Sequence, residues 1–236
     1  GYSFSPGVHY VGELGPAGWM RKTYEGLGVA QDLTFLELNP DGFDHALICN
    51  ERFDIPKGRE VLEQRLQERF PAESAGIQKY LDLVTRIGAD ARSVIHRRGS
   101  FDMLRLPFEA PTTTWSGLRS LARLLDSCVS DPLLRAILAI QGGDHGLPPA
   151  RVPSVVHALV VSHYFDGAFY PQGGAKSIPQ AFIRALRQNG GEIHLSAEVE
   201  RILVEGTPGR GRAIGVQLAD GTQITAQHVV SNADPG

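Results

Sequence analysis

Cysteine, methionine and tryptophan are scarce in this chain of 236 residues, with two of each. Cys49 and Cys128 lie too far apart for a disulfide framework or a Cys-rich zinc site. They suit a reducing compartment with both thiols buried. Long apolar runs are also missing. The longest, Ala136–Ile140, has five residues, against the roughly 20 that cross a bilayer, and no charged segment followed by an apolar one opens the chain. Nor is there an excess of one charge. With 23 Lys and Arg against 26 Asp and Glu the net charge is −3, so nothing draws the whole chain toward nucleic acid. These absences leave a cytoplasmic globular protein as the expectation, in keeping with 42% hydrophobic and 21% charged residues.

What the chain has in plenty is glycine and proline, 27 and 15 residues, above the average of roughly 7% and 5%. Many turns follow. The first 50 residues hold short apolar bursts, Tyr2–Phe4, Val8–Val11, Leu33–Leu38 and Ala46–Cys49, around a helix expected over Pro16–Leu27 that stops at Gly28. Residues 56–164 read as helical. From Ile77 the apolar positions 77, 80, 81, 84, 87, 91, 94 and 95 trace one face of a long helix. Further helices are expected over Gly58–Phe70, Leu118–Val129, Pro132–Gln141 and Val152–Tyr164, with Asp131-Pro132 as a helix start. Residues 167–236 turn to α/β: a strand at Ala168–Tyr170, a helix over Ser177–Gln188, and strands at Glu192–Leu195, Val199–Val204, Ala213–Leu218, Gln223–Ala226 and His228–Ser231. Asp220-Gly221 marks a hairpin. The chain opens at Gly1 without Met and closes just after a strand-like run, so it is expected to be a piece of a longer protein.

Several motifs fail on inspection. Gln172–Ser177 lacks both glycines a phosphate loop needs, with Tyr170 and Ala175 in their places. Gly209-Arg-Gly211 sits between strands and opens no helix. His157 and His163 are six apart and cannot share a helix face as zinc ligands, and no nucleophile elbow is present. Three segments carry more. Gly7–Gly12 is an apolar stretch bracketed by glycines, which let backbone approach a flat ligand or simply frame a strand. Phe169–Gly174 is a strand feeding a Gly-Gly turn and a helix, which favours an anion or a polar cofactor edge, or packs helix on sheet. The third runs from Gly190 through Val199–Ile202 to Val229–Ala233 and reads as a strand meander.

In order and spacing these segments resemble the FAD-dependent phytoene desaturase, carotenoid isomerase and retinol saturase family, within the flavin amine-oxidase-like fold. The matching residues are His9–Gly12, Gly142–Pro149, Tyr170–Gly174, Val199–Ile202 and Val229–Pro235. Absent are the G-x-G-x-x-G loop that cradles the FAD pyrophosphate, the acid beyond it and a closing C-terminal segment. The chain thus resembles the central part of such an enzyme. Ser5-Pro6 stands where the family often has an acid.

The resemblance implies an α/β (α+β) fold: a partial FAD-binding domain, residues 1–30 and 167–236, and a largely helical substrate domain, residues 31–166. It implies FAD as cofactor, with Gly7, Val8, His9 and Tyr10 on the flavin side, Gly173 and Gly174 approaching the cofactor, and Val199 meeting adenine through its backbone. It implies a desaturase, saturase or isomerase acting on a long apolar isoprenoid or polyene, held among side chains such as Leu104, Leu106, Phe108, Trp115, Leu124, Leu138, Val160, Tyr164 and Phe165. Individually most of these also fit ordinary helix core. Arg86, Arg92, Arg97 and Arg98 could meet lipid headgroups at a peripheral membrane contact, or form a solvated helix face. No metal and no nucleic acid are expected. No catalytic residue is assigned; His9, Asp144 and His145 are candidates. A flavin amine oxidase and a non-redox binder of apolar ligands remain the alternatives.

Overall fold

The computed structural model describes residue 4 and residues 7–95, 109–207 and 210–234. Tyr2, Ser3, Ser5, Pro6, Arg97, Arg98, Leu104, Leu106, Phe108, Gly209 and Pro235, all invoked above, lie outside the described residues. The chain forms two compact units, Gly1–Ala185 and Leu186–Gly236. The fold mixes helices with small antiparallel sheets.

In the first unit, helices α1 (Trp19–Gly26), α2 (Arg59–Arg69), α3 (Ser74–Ile95), α4 (Leu121–Asp126), α5 (Pro132–Leu138) and α6 (Ser154–His163) alternate with short turns and strands. On α3 the expected stripe is buried at Ile77, Tyr80, Leu81, Val84, Ile87 and Ala91, and each fully buried aliphatic side chain contributes about 1.5–3 kcal/mol. Leu66 of α2, Leu121 and Leu124 of α4, Leu134, Ile137 and Leu138 of α5, and Ala158 and Val161 of α6 join them in one core. Asp131 caps α5 as its sequence indicates, accepting from Leu134 N–H at 2.9 Å, and Pro132 occupies the first turn.

Several features of this unit depart from the sequence reading. Strands β2 (Asp44–Ile48) and β3 (Glu51–Ile55) form a hairpin, although Glu51, Arg52 and Asp54 are poor strand formers. Packing decides it: Ala46, Phe53 and Ile55 point into the helical core. Cys49 sits in the two-residue turn with φ 54° and is exposed, while Cys128 is half-buried, so the two thiols are not both interior. The segment before α4 opens with a wide helical turn over Thr113–Gly117 rather than with an α-helix from Leu118.

Strand β1 (Phe35–Glu37) pairs antiparallel with β4 (Phe169–Pro171), Leu36 opposite Tyr170. On the other side of β4, Val11 and Phe169 exchange two backbone hydrogen bonds of 2.8 Å. Only Val11 of the expected Val8–Val11 strand is paired in this way. A second small core gathers Leu14, Tyr24, Val29 and Ala181 beneath Phe35 and Phe169. Helix α7 (Ser177–Gln188) starts in this unit and runs into the next.

The second unit is a meander of β5 (Val199–Glu205), β6 (Arg212–Leu218) and β7 (Gln223–Thr225) in the order β5-β6-β7. The β6–β7 turn forms at Asp220-Gly221 as its residues dictate. Gly221 has φ 86°, and Thr222 N–H donates to Asp220 Oδ1 at 2.8 Å. Glu192–Leu195 and His228–Ser231 form no strand. Among the described residues neither has a partner to take its backbone hydrogen bonds, and propensity alone does not make a strand.

Candidate functional site

Tyr10 projects from the Gly7–Gly12 segment into an aromatic cluster. Its ring meets Tyr164 edge-on at 4.7 Å between centroids and Phe43 at 5.7 Å. Phe43 precedes β2 and Tyr164 caps the end of α6, so residues more than 100 positions apart converge here. The Tyr10 hydroxyl donates to Asp44 Oδ2 at 2.8 Å. Burial, and secondarily this bond to Asp44, push the Tyr10 phenol far above its ordinary range. Tyr164 is raised likewise, first by burial and then by the negative charge of Asp144. At neutral pH both phenols keep their protons and act as donors, not bases.

His9 stands beside Tyr10 with its side chain 66% exposed, and its Nδ1 lies 3.2 Å from Asp144 Oδ1. A carboxylate only accepts, so Nδ1 carries the proton in this contact and Nε2 is the atom turned outward. His9 and Asp144, both singled out in the sequence, are thus brought together. His145 is close in sequence but turns the other way, its ring edge-on to His157 of α6 at 5.8 Å.

Gly12 has a reason unrelated to any ligand. Its N–H donates to His163 Nε2 at 2.9 Å, and a Cβ there would stand 2.2 Å from the His163 carbonyl oxygen. The glycine lets this segment lie directly on the end of α6. Burial lowers the His163 pKa, in keeping with a neutral ring that accepts from Gly12. Asp44, Phe43, His157 and His163 were not identified as members of this cluster from sequence. Separations of 34 to 151 positions leave no local signal.

Gly7, Gly173 and Gly174 all have positive φ, 84°, 86° and 83°. No described atom lies within 4 Å of where a Cβ would stand at Gly7 or Gly173. Backbone at both is therefore open to a flat group that a side chain would obstruct. Val8 is half-buried and Gly173 exposed. In the second unit Val199 is 51% exposed and lies opposite Leu218. Ala219 N–H donates to Glu198 O, which makes Val199–Leu218 a non-hydrogen-bonded pair and turns the N–H and C=O of Val199 away from β6. That side is the outer edge of the sheet. On the second unit, an N–H and C=O on one strand edge match the donor–acceptor pattern of an adenine edge. On the first, taken by itself, the open glycines leave room for a flat ring such as an isoalloxazine. Among the described residues no cluster of three or more metal-ligating side chains occurs.

Other expected contacts resolve differently. Arg92 is not a free cation for lipid: its guanidinium lies 3.3 Å from Glu13 and donates to Ser162 Oγ at 3.0 Å. Leu124 and Leu138 belong to the helical core, whereas Trp115 and Leu118 are about 70% exposed. No helix among the described residues is long and apolar enough to cross a membrane.

A sequence model of the flavin containing amine oxidoreductases matches residues 25–236, leaving Gly7–Tyr10 outside the match. The chain belongs to that family, and the family's cofactor is a flavin. Among individual relatives, the all-trans-retinol 13,14-reductase of Rattus norvegicus is 28% identical over 99% of this chain and 40% of its own length. The zeta-carotene-forming phytoene desaturase of Myxococcus xanthus is 38% identical over 44% of this chain and 19% of its own. An oxidoreductase structure from Methanosarcina mazei is 25% identical over 55% of this chain and 31% of that one, with a TM-score of 0.39. The chain spans about 40% of the length of the retinol reductases it matches.

Proposed function

We propose that this chain is part of an FAD-dependent oxidoreductase, a desaturase, saturase or isomerase, whose substrate is a long apolar isoprenoid such as a carotenoid or retinoid. One observation carries the reading: the same chain is similar both to a retinol reductase over 99% of its residues and to phytoene desaturases over about half of them. Reduction of retinol and desaturation of phytoene both change the number of double bonds in an isoprenoid chain.

On this reading residues 1–30 and 167–236 belong to the FAD-binding part and residues 31–166 to the substrate part. Gly7, Val8, His9 and Tyr10 line the flavin side. Gly173 and Gly174 admit the cofactor because they carry no Cβ, and Val199 binds adenine through its backbone. The flavin, when bound, supplies two-electron chemistry. The chain's own groups hold protons in place: Tyr10 stays protonated on Asp44, Tyr164 keeps its proton through burial, and Asp144 fixes His9 so that Nε2 faces outward. The aromatic faces of Tyr10, Phe43 and Tyr164 exclude water and suit a polyene. Exposed Trp115 and Leu118 support peripheral contact with the membrane in which such substrates dissolve.

The test is spectroscopic. The purified protein carrying this chain is expected to show flavin absorbance, and the anaerobically reduced or oxidised flavin to change redox state on addition of a carotenoid or retinoid. A protein without a flavin chromophore, or one whose flavin responds to polar amines and not to polyenes, overturns the reading.

A further inference from the structure

His157 is fully buried on α6, with 0% exposure, and its two ring nitrogens are treated very differently. Nε2 lies 3.0 Å from the Tyr80 hydroxyl, and Tyr80 donates to the Leu138 carbonyl at 3.3 Å. Leu138 O can only accept. Tyr80 spends its one proton on it, so the arrangement closes without conflict when His157 carries its proton on Nε2 and Tyr80 oxygen accepts from it. Nδ1 of His157 is then a bare acceptor. It has no partner among the described residues.

His145, on the turn over Ile140–Asp144 and its C-terminal cap, shows the complementary state. Leu147 N–H donates to His145 Nδ1 at 3.4 Å, so Nδ1 is bare and the neutral ring carries its proton on Nε2. That nitrogen is also buried and without a partner among the described residues. A donor lacking an acceptor and an acceptor lacking a donor thus sit on two imidazoles with centroids 5.8 Å apart, edge to face. A small ring rotation, or one bridging water, joins them.

We propose that His145 Nε2–H and His157 Nδ1 form a hydrogen-bonded pair that ties the glycine-rich turn 140–147 to α6, and that His157 is thereby a positioning residue for Asp144. The turn is held from two sides. Asp144 reaches His9 on one, and His145 reaches His157 and, through it, Tyr80 of α3 on the other. Two unpaired buried nitrogens each carry an uncompensated desolvation penalty, and pairing them with each other removes both. The inference rests on side-chain geometry alone and does not depend on the flavin reading.

Two measurements on the complete protein test it. Long-range proton–nitrogen NMR correlations of the two rings are expected to show both protonated at Nε2 and bare at Nδ1. Hydrogen exchange of the Gly146 and Leu147 amides is expected to speed up roughly threefold to tenfold in His157→Phe, the share carried by one net hydrogen bond, and to return toward wild type in His157→Gln, whose amide oxygen can accept from His145. If His157→Phe does not fold, the ring-nitrogen correlations of the wild-type protein decide alone, since His145→Phe would itself remove the acceptor of the Leu147 amide. Protonation at Nδ1 of either ring, or wild-type exchange in the folded Phe variant, overturns the proposal.

Discussion

His9 and Asp144, 135 positions apart, meet with His9 Nδ1 3.2 Å from Asp144 Oδ1. The contact is asymmetric: the His9 side chain is 66% exposed and that of Asp144 only 17%. The Asp144 charge also raises the Tyr164 phenol pKa. The carboxylate is therefore a fixed anchor and the imidazole a group held on it at the surface.

That asymmetry sets the energetics. A double-mutant cycle with His9→Gln and Asp144→Asn in urea is expected to give a coupling under about 1 kcal/mol, as for other exposed pairs. Asp144→Asn alone is expected to destabilise more than His9→Gln, because the Asp144 side chain is far less exposed than that of His9. A coupling well above 2 kcal/mol, or the reverse order of the single variants, would contradict this geometry.

Gly12→Ala places a methyl 2.2 Å from the His163 carbonyl oxygen, which backbone must move to accommodate. A loss of about 1–3 kcal/mol or more is expected, seen as a lower urea midpoint with an unchanged slope. Unaltered stability would mean that the segment does not pack on α6 as described.

Gly174→Ala separates cofactor contact from turn strain. An alanine at φ 83° costs about 1–2 kcal/mol, a shift of a few degrees in the melting temperature of the apo protein. If the turn meets flavin, the ratio of absorbance near 450 nm to that near 280 nm in the purified variant falls several-fold beyond that. Full flavin content with only the lowered apo melting temperature would return the turn to a purely structural role.

Val199 acts through backbone on the proposed reading. Val199→Ile is expected to keep its flavin and Val199→Pro to lose it, since proline removes the outward N–H. Because proline is best tolerated at just such an outer edge, the meander itself should survive, as circular dichroism would show. Equal flavin content in the two variants would remove the adenine role.

His157 gives the protein an acid sensitivity. Burial, aided by neighbouring His145, lowers its pKa to about 4, below the ordinary value near 6.5. The folded state thus holds His157 neutral while the unfolded chain takes up a proton below pH ~6.5, so stability present above that pH is lost as pH falls toward 4. The loss reaches about 3 kcal/mol at most. His157→Gln is expected to flatten the pH dependence of the urea midpoint between pH 6.5 and 4, and an unchanged slope would count against a buried neutral ring.

The sequence by itself determined the local elements. The 77–91 stripe put α3 in the core because a period near 3.6 admits one buried face. Asp131-Pro132 and Asp220-Gly221 fixed a helix start and a turn through hydrogen bonds within a few residues. The ordered glycine motifs pointed to the family, which the match over residues 25–236 establishes. Tertiary structure alone decided the rest. β3 forms against its own poor propensity because Phe53 and Ile55 have a core to enter, and Glu192–Leu195 fails as a strand because nothing among the described residues pairs with it. Gly12 reads as a ligand-facing glycine until His163 is seen above it. The convergence of Tyr10, Asp44, Asp144, Tyr164 and His9 depends on chain ends that only packing brings together, since hydrogen bonds and aromatic contacts act over a few ångströms and carry no imprint in sequence separation.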